Sequence, residues 1–246
     1  MEILPGVHLV DNVVMPGPGH RSVNVGLLVD GGTVTVIDAG PPGAENIICE
    51  YVSRIGYSPS QVRRIILTHH HVDHTGALEG LVKLTGAEVW AHKDDAGYID
   101  GSVARPLVEM SAERIRSFVP GATENEITAI RRQMKKLMKA SPVKVDLRLC
   151  GEEELLVLGG CHIMHTPGHT PGHLCLHLPT LSLLIAGDLL RYEQGRVEGP
   201  VPEFTVDQEE AGKSLRRVAE LNVEATYGYH GGFLAIGAGR LMKALL

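Results

Sequence analysis

The sequence has few cysteines, no excess of positive charge and no long apolar run. Its cysteines contain no C-x-x-C pair and no spacing typical of a disulfide framework, so we expect buried or free thiols in a reducing compartment. The first residues, Met1 to Gly6, lack the basic and apolar stretches of a signal peptide. No segment approaches the length of a membrane span. These absences favour a cytoplasmic location and no membrane partner.

The charge balance also limits the partners. The formal net charge is -6, whereas a nucleic-acid-binding protein usually presents a basic face. No nucleic-acid partner is therefore expected. The chain of 246 residues is ordinary in its apolar and charged fractions and fits one domain over residues 1–246. It contains no G-x-S-x-G motif of a serine hydrolase.

Periodicity predicts alternating groups of strands and helices. Residues 22–38 read as two strands around Asp30-Gly31-Gly32. Further strands are predicted over 62–67, 89–91, 143–149, 154–158, 161–165, 173–178, 182–187 and 224–228, and helices over 44–56, 76–85, 207–221 and 237–245. This grouping suggests an α/β fold with two sheets packed face to face and helices outside.

Residues 93–141 differ from the rest, because they are richer in charge and helical in pattern, especially from Glu124 to Ala140. We interpret this stretch as a helical insertion within the domain, with its apolar residues Ile127, Ile130, Met134 and Leu137 used in packing rather than as a substrate surface. It is also the candidate surface for a homodimer.

The densest group of chemically active residues follows the predicted strand that ends at Leu67. His69, His71, Asp73 and His74 form an H-x-H-x-D-H pattern, and imidazole and carboxylate groups suit zinc and related divalent ions. On an extended segment His69 and His71 point the same way, while Asp73 and His74 can point elsewhere if the chain then turns into a helix. The spacing therefore allows two ions side by side. His70, between the ligands, is expected to face away and to be exposed.

Other candidates follow later strands. Thr166 to His173 offers His169 and His173 on a turn rich in glycine and proline. Asp188 and His230 each stand at the end of a predicted strand. Each of these is weak alone, since a lone strand-end Asp is usually a turn or cap residue. Together with the H-x-H-x-D-H pattern they complete two sets of ligands.

These motifs, in this order and with Val36 to Gly40 before them, resemble the metallo-β-lactamase-fold hydrolase superfamily. The resemblance covers most of the chain and implies an αβ/βα four-layer sandwich of two mixed sheets flanked by helices, with metals at one edge of the sheets. It implies one ion held by His69, His71 and His169, and a second held by the remaining ligands, which are Asp73, His74 and His230. Asp188 would bridge the two ions, Asp38 would orient the ligands, and His173 would lie outside the ligand set.

The resemblance implies a metal-dependent hydrolase with two divalent ions, most naturally zinc, with iron or manganese as alternatives. A hydroxide bridging the ions would attack the carbonyl carbon of a lactone, ester or thioester. Asp188 and Asp73 would be the catalytic carboxylates, with Asp73 moving a proton. True β-lactamases of the superfamily carry Cys where Asp188 stands, so antibiotic hydrolysis is not the expected role.

The substrate is open at this point, beyond its being a small molecule. Acyl homoserine lactonases of the superfamily carry Tyr three residues after the bridging Asp, where this chain has Arg191, with Tyr192 one position further on. Arg191 could meet an anionic substrate or be a surface charge. Glyoxalase II-like enzymes usually add a glutathione-binding C-terminal region, and only a short segment follows His230 here. The alternatives are a phosphodiesterase and a persulfide dioxygenase with one iron on His69, His169 and Asp188.

Overall fold

A first sheet carries the amino-terminal half of the chain. The computed structural model describes residues 1–17, 22–106, 110–193, 196–234 and 237–246. The strands of the first sheet are β1 (Glu2–Leu4), β2 (Val7–Val14), β3 (Ser22–Asp30), β4 (Thr33–Ile37), β5 (Val62–Ile66), β6 (Glu88–His92) and β7 (Leu147–Leu149). They lie side by side in chain order. Pairing is antiparallel from β1 to β4 and parallel from β4 to β7.

A second sheet carries the later half. Its strands are β8 (Glu154–Leu155), β9 (Cys161–His165), β10 (Leu174–Leu178), β11 (Leu183–Ile185), β14 (Ala225–Gly228) and β15 (Gly232–Leu234). Their order is β15-β14-β11-β10-β9-β8, and β11 and β14 run parallel. A separate hairpin of β12 (Arg191–Glu193) and β13 (Arg196–Glu198) follows β11 in the chain.

The described part of the chain forms eight α-helices, five of which cover the outer faces of the two sheets. They are α1 (Glu45–Arg54), α2 (Val72–Thr75), α3 (Leu78–Thr85), α4 (Lys93–Asp100), α5 (Ala112–Phe118), α6 (Glu124–Leu137), α7 (Gln208–Ala219) and α8 (Ala238–Lys243). One core lies between the sheets, with Leu9 and Ile66 from the first and Ile163 and Leu176 from the second. A second core joins the first sheet to α1, α3 and α4, and a third joins the second sheet to α7 and α8. The predicted four-layer αβ/βα sandwich is therefore confirmed.

The predicted helical insertion over 93–141 contains two kinds of packing. Helix α4 packs on the first sheet through Ala96 and Ile99. Helices α5 and α6 instead share a small core with Phe204, in which Ile115 and Ile127 are fully buried. Residues 107–109 of the predicted insertion lie outside the described residues. The interpretation of 1–246 as one domain with an insertion stays a prediction.

Several described elements have no counterpart in the predicted pattern. They are the single-turn helix α2 and the strands β1, β2, β12, β13 and β15. All four cysteines have free thiols, three of them buried. Within the described ranges, no helix combines the length and the apolar character that a membrane crossing requires.

Candidate metal centre

The candidate site residues gather at one edge of the sandwich because they follow parallel strands that end there. Asp38 follows β4 and the histidine loop follows β5, while Asp188 and His230 follow β11 and β14. Carboxyl ends of parallel strands meet at the same sheet edge, as in other α/β sites. The β9–β10 connection adds His169.

The structure brings the seven predicted ligands together as two adjoining groups. In the first group, the ligand atoms of His69, His71, His169 and Asp188 lie within 4.8 Å of one another. In the second group, those of Asp73, His74 and His230 satisfy the same limit. Helix α2 separates the groups, since it begins directly after His71 and carries Asp73 and His74 on its single turn. The expected change of direction within the H-x-H-x-D-H pattern therefore has a structural cause.

Asp188 contacts members of both groups. Its Oδ2 lies 3.4 Å from Nε2 of His169 and 3.5 Å from Nε2 of His230. Its Oδ1 lies 3.2 Å from Nε2 of His74. The carboxylate thus stands between the two groups, in the position expected of a bridging ligand.

Asp38 holds two parts of the histidine loop. Its carboxylate accepts hydrogen bonds from the backbone N–H of Thr68 at 2.8 Å and from the Thr68 hydroxyl at 2.9 Å. Its Oδ2 also lies 2.9 Å from Nδ1 of His74, which leaves Nε2 of His74 facing Asp188. Asp38 has the left-handed φ of 63°, a conformation that aspartate tolerates better than most residues. The predicted orienting role has a clear geometric basis.

His173 supports the site with both ring nitrogens. Its Nε2 accepts a hydrogen bond from the backbone N–H of Asp188 at 3.1 Å. Its Nδ1 must then carry the proton, which it donates to the Thr166 hydroxyl at 2.9 Å. No lone pair is left for an ion, so His173 positions Asp188, as expected for a residue outside the ligand set.

Electrostatics divides the histidines into two classes. Burial lowers the pKa of His71 to about 4 and lowers the pKa values of His69 and His169 well below the usual range. These rings stay neutral, which is the form that binds metal. Burial also acts against charge on His74 and His230, but neighbouring carboxylates outweigh it. Asp38 raises the pKa of His74 well above its usual value, and Asp188 raises that of His230 to about 9. The carboxylates therefore create a field that attracts positive charge.

The expectation that His70 is exposed was wrong. Its side chain is 2% exposed, and its ring stacks on Tyr98 with the centroids 4.4 Å apart. Asp95, at the start of α4, is the physical reason: its Oδ2 lies 2.9 Å from both the backbone nitrogen and Nδ1 of His70. Asp95 also accepts hydrogen bonds from the Thr170 hydroxyl and the backbone N–H of Gly172. This one buried carboxylate joins the two ligand-bearing loops.

Two more supporting residues were missed by the sequence reasoning. Arg105 donates from Nη1 to the carbonyl oxygen of His70 and to the Thr75 hydroxyl, both at 2.7 Å. Tyr229 stacks on His74 with the ring centroids 3.7 Å apart and donates its hydroxyl to the carbonyl oxygen of Asp73 at 2.6 Å. The only available signal for Tyr229 was its position next to His230, whereas nothing in the sequence marked Arg105.

Arg191 and Tyr192 both line the cavity beside the site. The Arg191 guanidinium pairs with Glu198 across the β12–β13 hairpin and donates from Nε to the carbonyl oxygen of Gly199. Burial raises the pKa of Tyr192 to about 12, and its hydroxyl is enclosed within the protein. The ring of Tyr192, rather than its hydroxyl, is therefore the part available to the cavity.

A third cluster of possible ligands has a structural explanation. His92, Asp94 and His165 have ligand atoms within 4.8 Å of one another. However, Nδ1 of His92 accepts from the backbone N–H of Asp94 at the start of α4, and its Nε2 donates to the carbonyl oxygen of Cys150. Both nitrogens of the buried ring are used, so His92 caps α4.

Comparisons with known proteins agree with this fold and site. The sequence model of the metallo-beta-lactamase superfamily matches residues 18–230. The probable metallo-hydrolase YflN of Bacillus subtilis strain 168 is 27% identical over 209 residues, which are 80% of this chain and 74% of that protein. A hydroxyacylglutathione hydrolase of Methylobacillus flagellatus is 34% identical over 90 residues, only 37% of this chain and 29% of that enzyme.

Solved structures show the same architecture. The crystal structure of a metallo-beta-lactamase family protein from Thermus thermophilus matches with a TM-score of 0.71 and 26% identity, covering 99% of this chain and 79% of that one. The chain therefore belongs to the metallo-beta-lactamase superfamily, as the resemblance predicted. Its relatives include metallo-hydrolases, and the class of protein that the fold and the clustered His and Asp residues define is a metal-binding hydrolase.

Proposed function

We propose that this protein cleaves an ester-like bond, in a lactone, ester or thioester, with two divalent metal ions. The observation that carries the proposal is the position of Asp188 between two complete groups of ligands, within 3.5 Å of His74, His169 and His230. A single ion would need only one of these groups. We further propose zinc as the metal and the cytoplasm as the location.

The donor atoms fit metal ions. Nε2 of His69 is buried and makes no hydrogen bond within the described part of the chain, and the buried Nε2 of His74 and Oδ1 of Asp188, 3.2 Å apart, have no partner there other than each other. Buried polar atoms without partners are rare, because each costs about 1–3 kcal/mol. One cation at each group would satisfy these atoms, because His69 belongs to the first group and His74 to the second. One ion would be held by His69, His71 and His169. The other would be held by Asp73, His74 and His230, and Asp188 would contact both ions.

Bound ions would supply two effects, namely a lower pKa for water at the site and polarisation of the substrate carbonyl. The side chains would position the ligands and transfer protons. Asp38 and His173 hold His74 and Asp188 in position. Asp73 lines the cavity, and the neighbouring His74 lowers its pKa against the effect of burial. We assign to Asp73 the removal of a proton from the attacking water and its transfer to the leaving alkoxide or thiolate.

The test is a substrate panel with a matched variant. Zinc-loaded protein is assayed with a lactone, an ester, a thioester and bis(p-nitrophenyl) phosphate, and iron(II)-loaded protein is assayed with glutathione persulfide while oxygen uptake is recorded. We expect turnover of at least one carbonyl substrate and a loss of about 1000-fold or more in Asp188→Asn, because that carboxylate contacts both groups. Asp11→Asn, at an exposed site on β2, is the control. Oxygen uptake with the persulfide, or turnover of the phosphodiester alone, would refute the proposal in favour of the corresponding alternative.

A further inference from the structure

A cavity of about 600 Å³ opens beside the candidate metal centre. Asp73, Asp188 and His230 form part of its lining. Much of the rest comes from α5, α6 and the segments next to them. The size suits a small organic molecule, so this cavity is where the group attached to the scissile bond would lie.

The charges around the cavity have one sign. Apart from Asp73 and Asp188, every charged residue among the described lining residues is basic. These residues are Arg105, Arg114, Arg131, Lys135, Lys139 and Arg191. The protein as a whole has a net charge of -6, so this concentration of positive charge runs against the overall balance. A positively lined cleft concentrates anions.

Four of these basic groups have no carboxylate partner in the described part of the chain. Arg105 is used in holding the His70 loop, and Arg191 pairs with Glu198. Arg114, Arg131, Lys135 and Lys139, by contrast, form no ion pair with a described residue. Nε of Arg114 is buried without a hydrogen-bond partner among those residues, and Arg131 donates only from Nε, to the carbonyl oxygen of Met110.

Helix electrostatics does not account for this arrangement. Lysines in the last turn of α6 are favoured there by the helix dipole. Arg114, however, lies in the first turn of α5, where the dipole disfavours a cation. Within α5 its guanidinium contacts only the ring of Phe118 among the described residues, with the guanidinium carbon 5.1 Å from the ring centroid, and this contact leaves its positive charge without a counterion beside the cavity.

The same face of α6 also contributes apolar side chains. Met134 and Lys135 follow Arg131 by three and four residues in α6 and therefore lie on its face, and Met138 is the residue at the carboxyl end of the helix. Met110 and Phe118 add to the apolar lining. Methionine side chains adapt to ligands of varied shape. The cavity thus offers apolar contact and positive charge together.

We propose that the substrate is an amphipathic anion, in which an apolar segment joins the ester-like bond to a carboxylate or phosphate group. This inference rests on the proposed hydrolase function for the bond that is cleaved. The anionic group would be held by Arg114, Arg131, Lys135 and Lys139, and the apolar segment would lie against the methionines and Phe118.

The experiment compares esters that differ only in charge. On the acyl side the pair is mono-p-nitrophenyl adipate and p-nitrophenyl hexanoate, with p-nitrophenyl 6-phosphonohexanoate to distinguish phosphate from carboxylate recognition. On the leaving-group side, the anionic compound is the hexanoyl ester of 4-hydroxybenzoate. Its neutral counterpart is the hexanoyl ester of methyl 4-hydroxybenzoate. For at least one pair, kcat/KM for the anionic ester should exceed kcat/KM for the neutral ester by about tenfold or more. The kcat/KM of the anionic ester should fall with added salt.

Helix α6 and the residues directly after it provide a matched control. Lys135→Gln/Lys139→Gln removes two charges from the cavity lining, whereas Arg132→Gln/Lys136→Gln removes two charges from exposed positions outside it. We expect the anionic-to-neutral ratio of kcat/KM to fall about fivefold or more in the first double variant and to stay within about twofold in the second. An equal fall in both variants, or a wild-type ratio near one in both pairs, would overturn the inference.

A binding measurement separates this inference from the proposed function. Calorimetric titration with suberate and with its neutral diamide requires no turnover. Tighter binding of suberate that is weakened by Lys135→Gln/Lys139→Gln supports the inference, and equal affinity for the two compounds contradicts it. Absence of turnover with every ester would contradict the hydrolase proposal alone.

Discussion

Oδ2 of Asp38 lies 2.9 Å from Nδ1 of His74, and both side chains are buried. The contact fixes which nitrogen of His74 faces the centre of the candidate site. Carboxylate groups that orient a ligand histidine in this way also raise its basicity. Asp38 therefore acts on the proposed metal ions through His74, without touching them.

Replacing Asp38 tests this relationship. We expect Asp38→Asn to weaken zinc binding about 10- to 100-fold, because the amide cannot hold His74 with the same charge. Asparagine tolerates the left-handed φ at this position, so the backbone should be preserved. Chelator competition measures the affinity. The control is Asp11→Asn, and equal zinc affinity in the two variants would refute the orienting role.

Asp95 should matter for stability as much as for the site. Its buried carboxylate joins the loop of His70 to the loop of Thr170 and Gly172. We expect Asp95→Asn to lower the free energy of unfolding by about 3 kcal/mol, since several charge-assisted hydrogen bonds are lost in a buried place. Urea denaturation gives the value.

The neighbouring Asp94→Asn provides the comparison for that measurement. The Asp94 side chain is 47% exposed, and its replacement should change the unfolding free energy by no more than about 0.5 kcal/mol. If the free energy of unfolding falls equally in both variants, Asp95 does not hold the two loops together.

Gly168 should not accept a side chain. Its φ is +128°, and a Cβ there would lie 2.1 Å from the backbone nitrogen of Ala211 in α7. Gly168→Ala must therefore displace either α7 or the loop of His169, and we expect a loss of about 2 kcal/mol or more with weaker zinc binding.

Gly212, also in α7, is the matched control for Gly168. A Cβ there meets no atom nearer than 3.8 Å, so Gly212→Ala should raise stability by about 0.5–1 kcal/mol through helix propensity. Thermal and urea denaturation of both variants provide the comparison. Unchanged stability and zinc affinity in Gly168→Ala would show that the contact between Gly168 and the backbone of Ala211 does not exclude a side chain at position 168.

The fold class and the candidate site residues could be predicted from local signals, whereas the four-layer sandwich and the division of the ligands between two ions came from the family resemblance. The apolar strands are short and well bounded, and His69, His71, Asp73 and His74 stand directly after one of them. Asp188 and His230 follow strands that run parallel in the structure, so their convergence at one edge follows from sheet geometry. Their roles as metal ligands stay predictions until an ion is measured.

The supporting residues could not be predicted, since their roles arise only from tertiary contacts. In sequence, Asp95 looks like an ordinary acidic residue in the first turn of a helix, and only the approach of the loop around Thr170 makes it a buried joint. His70 was misjudged for the same reason. Tyr229 and Arg105 act on backbone carbonyl oxygens of the histidine loop, which no sequence pattern records.

The number of zinc ions per chain, in wild-type protein and in His230→Ala, tests the two-ion proposal most directly. After loading with zinc and desalting, elemental analysis should give two ions per wild-type chain and one per chain of His230→Ala, because His230 belongs only to the group with Asp73 and His74. One zinc ion per chain in both the wild-type protein and His230→Ala would contradict the two-ion proposal.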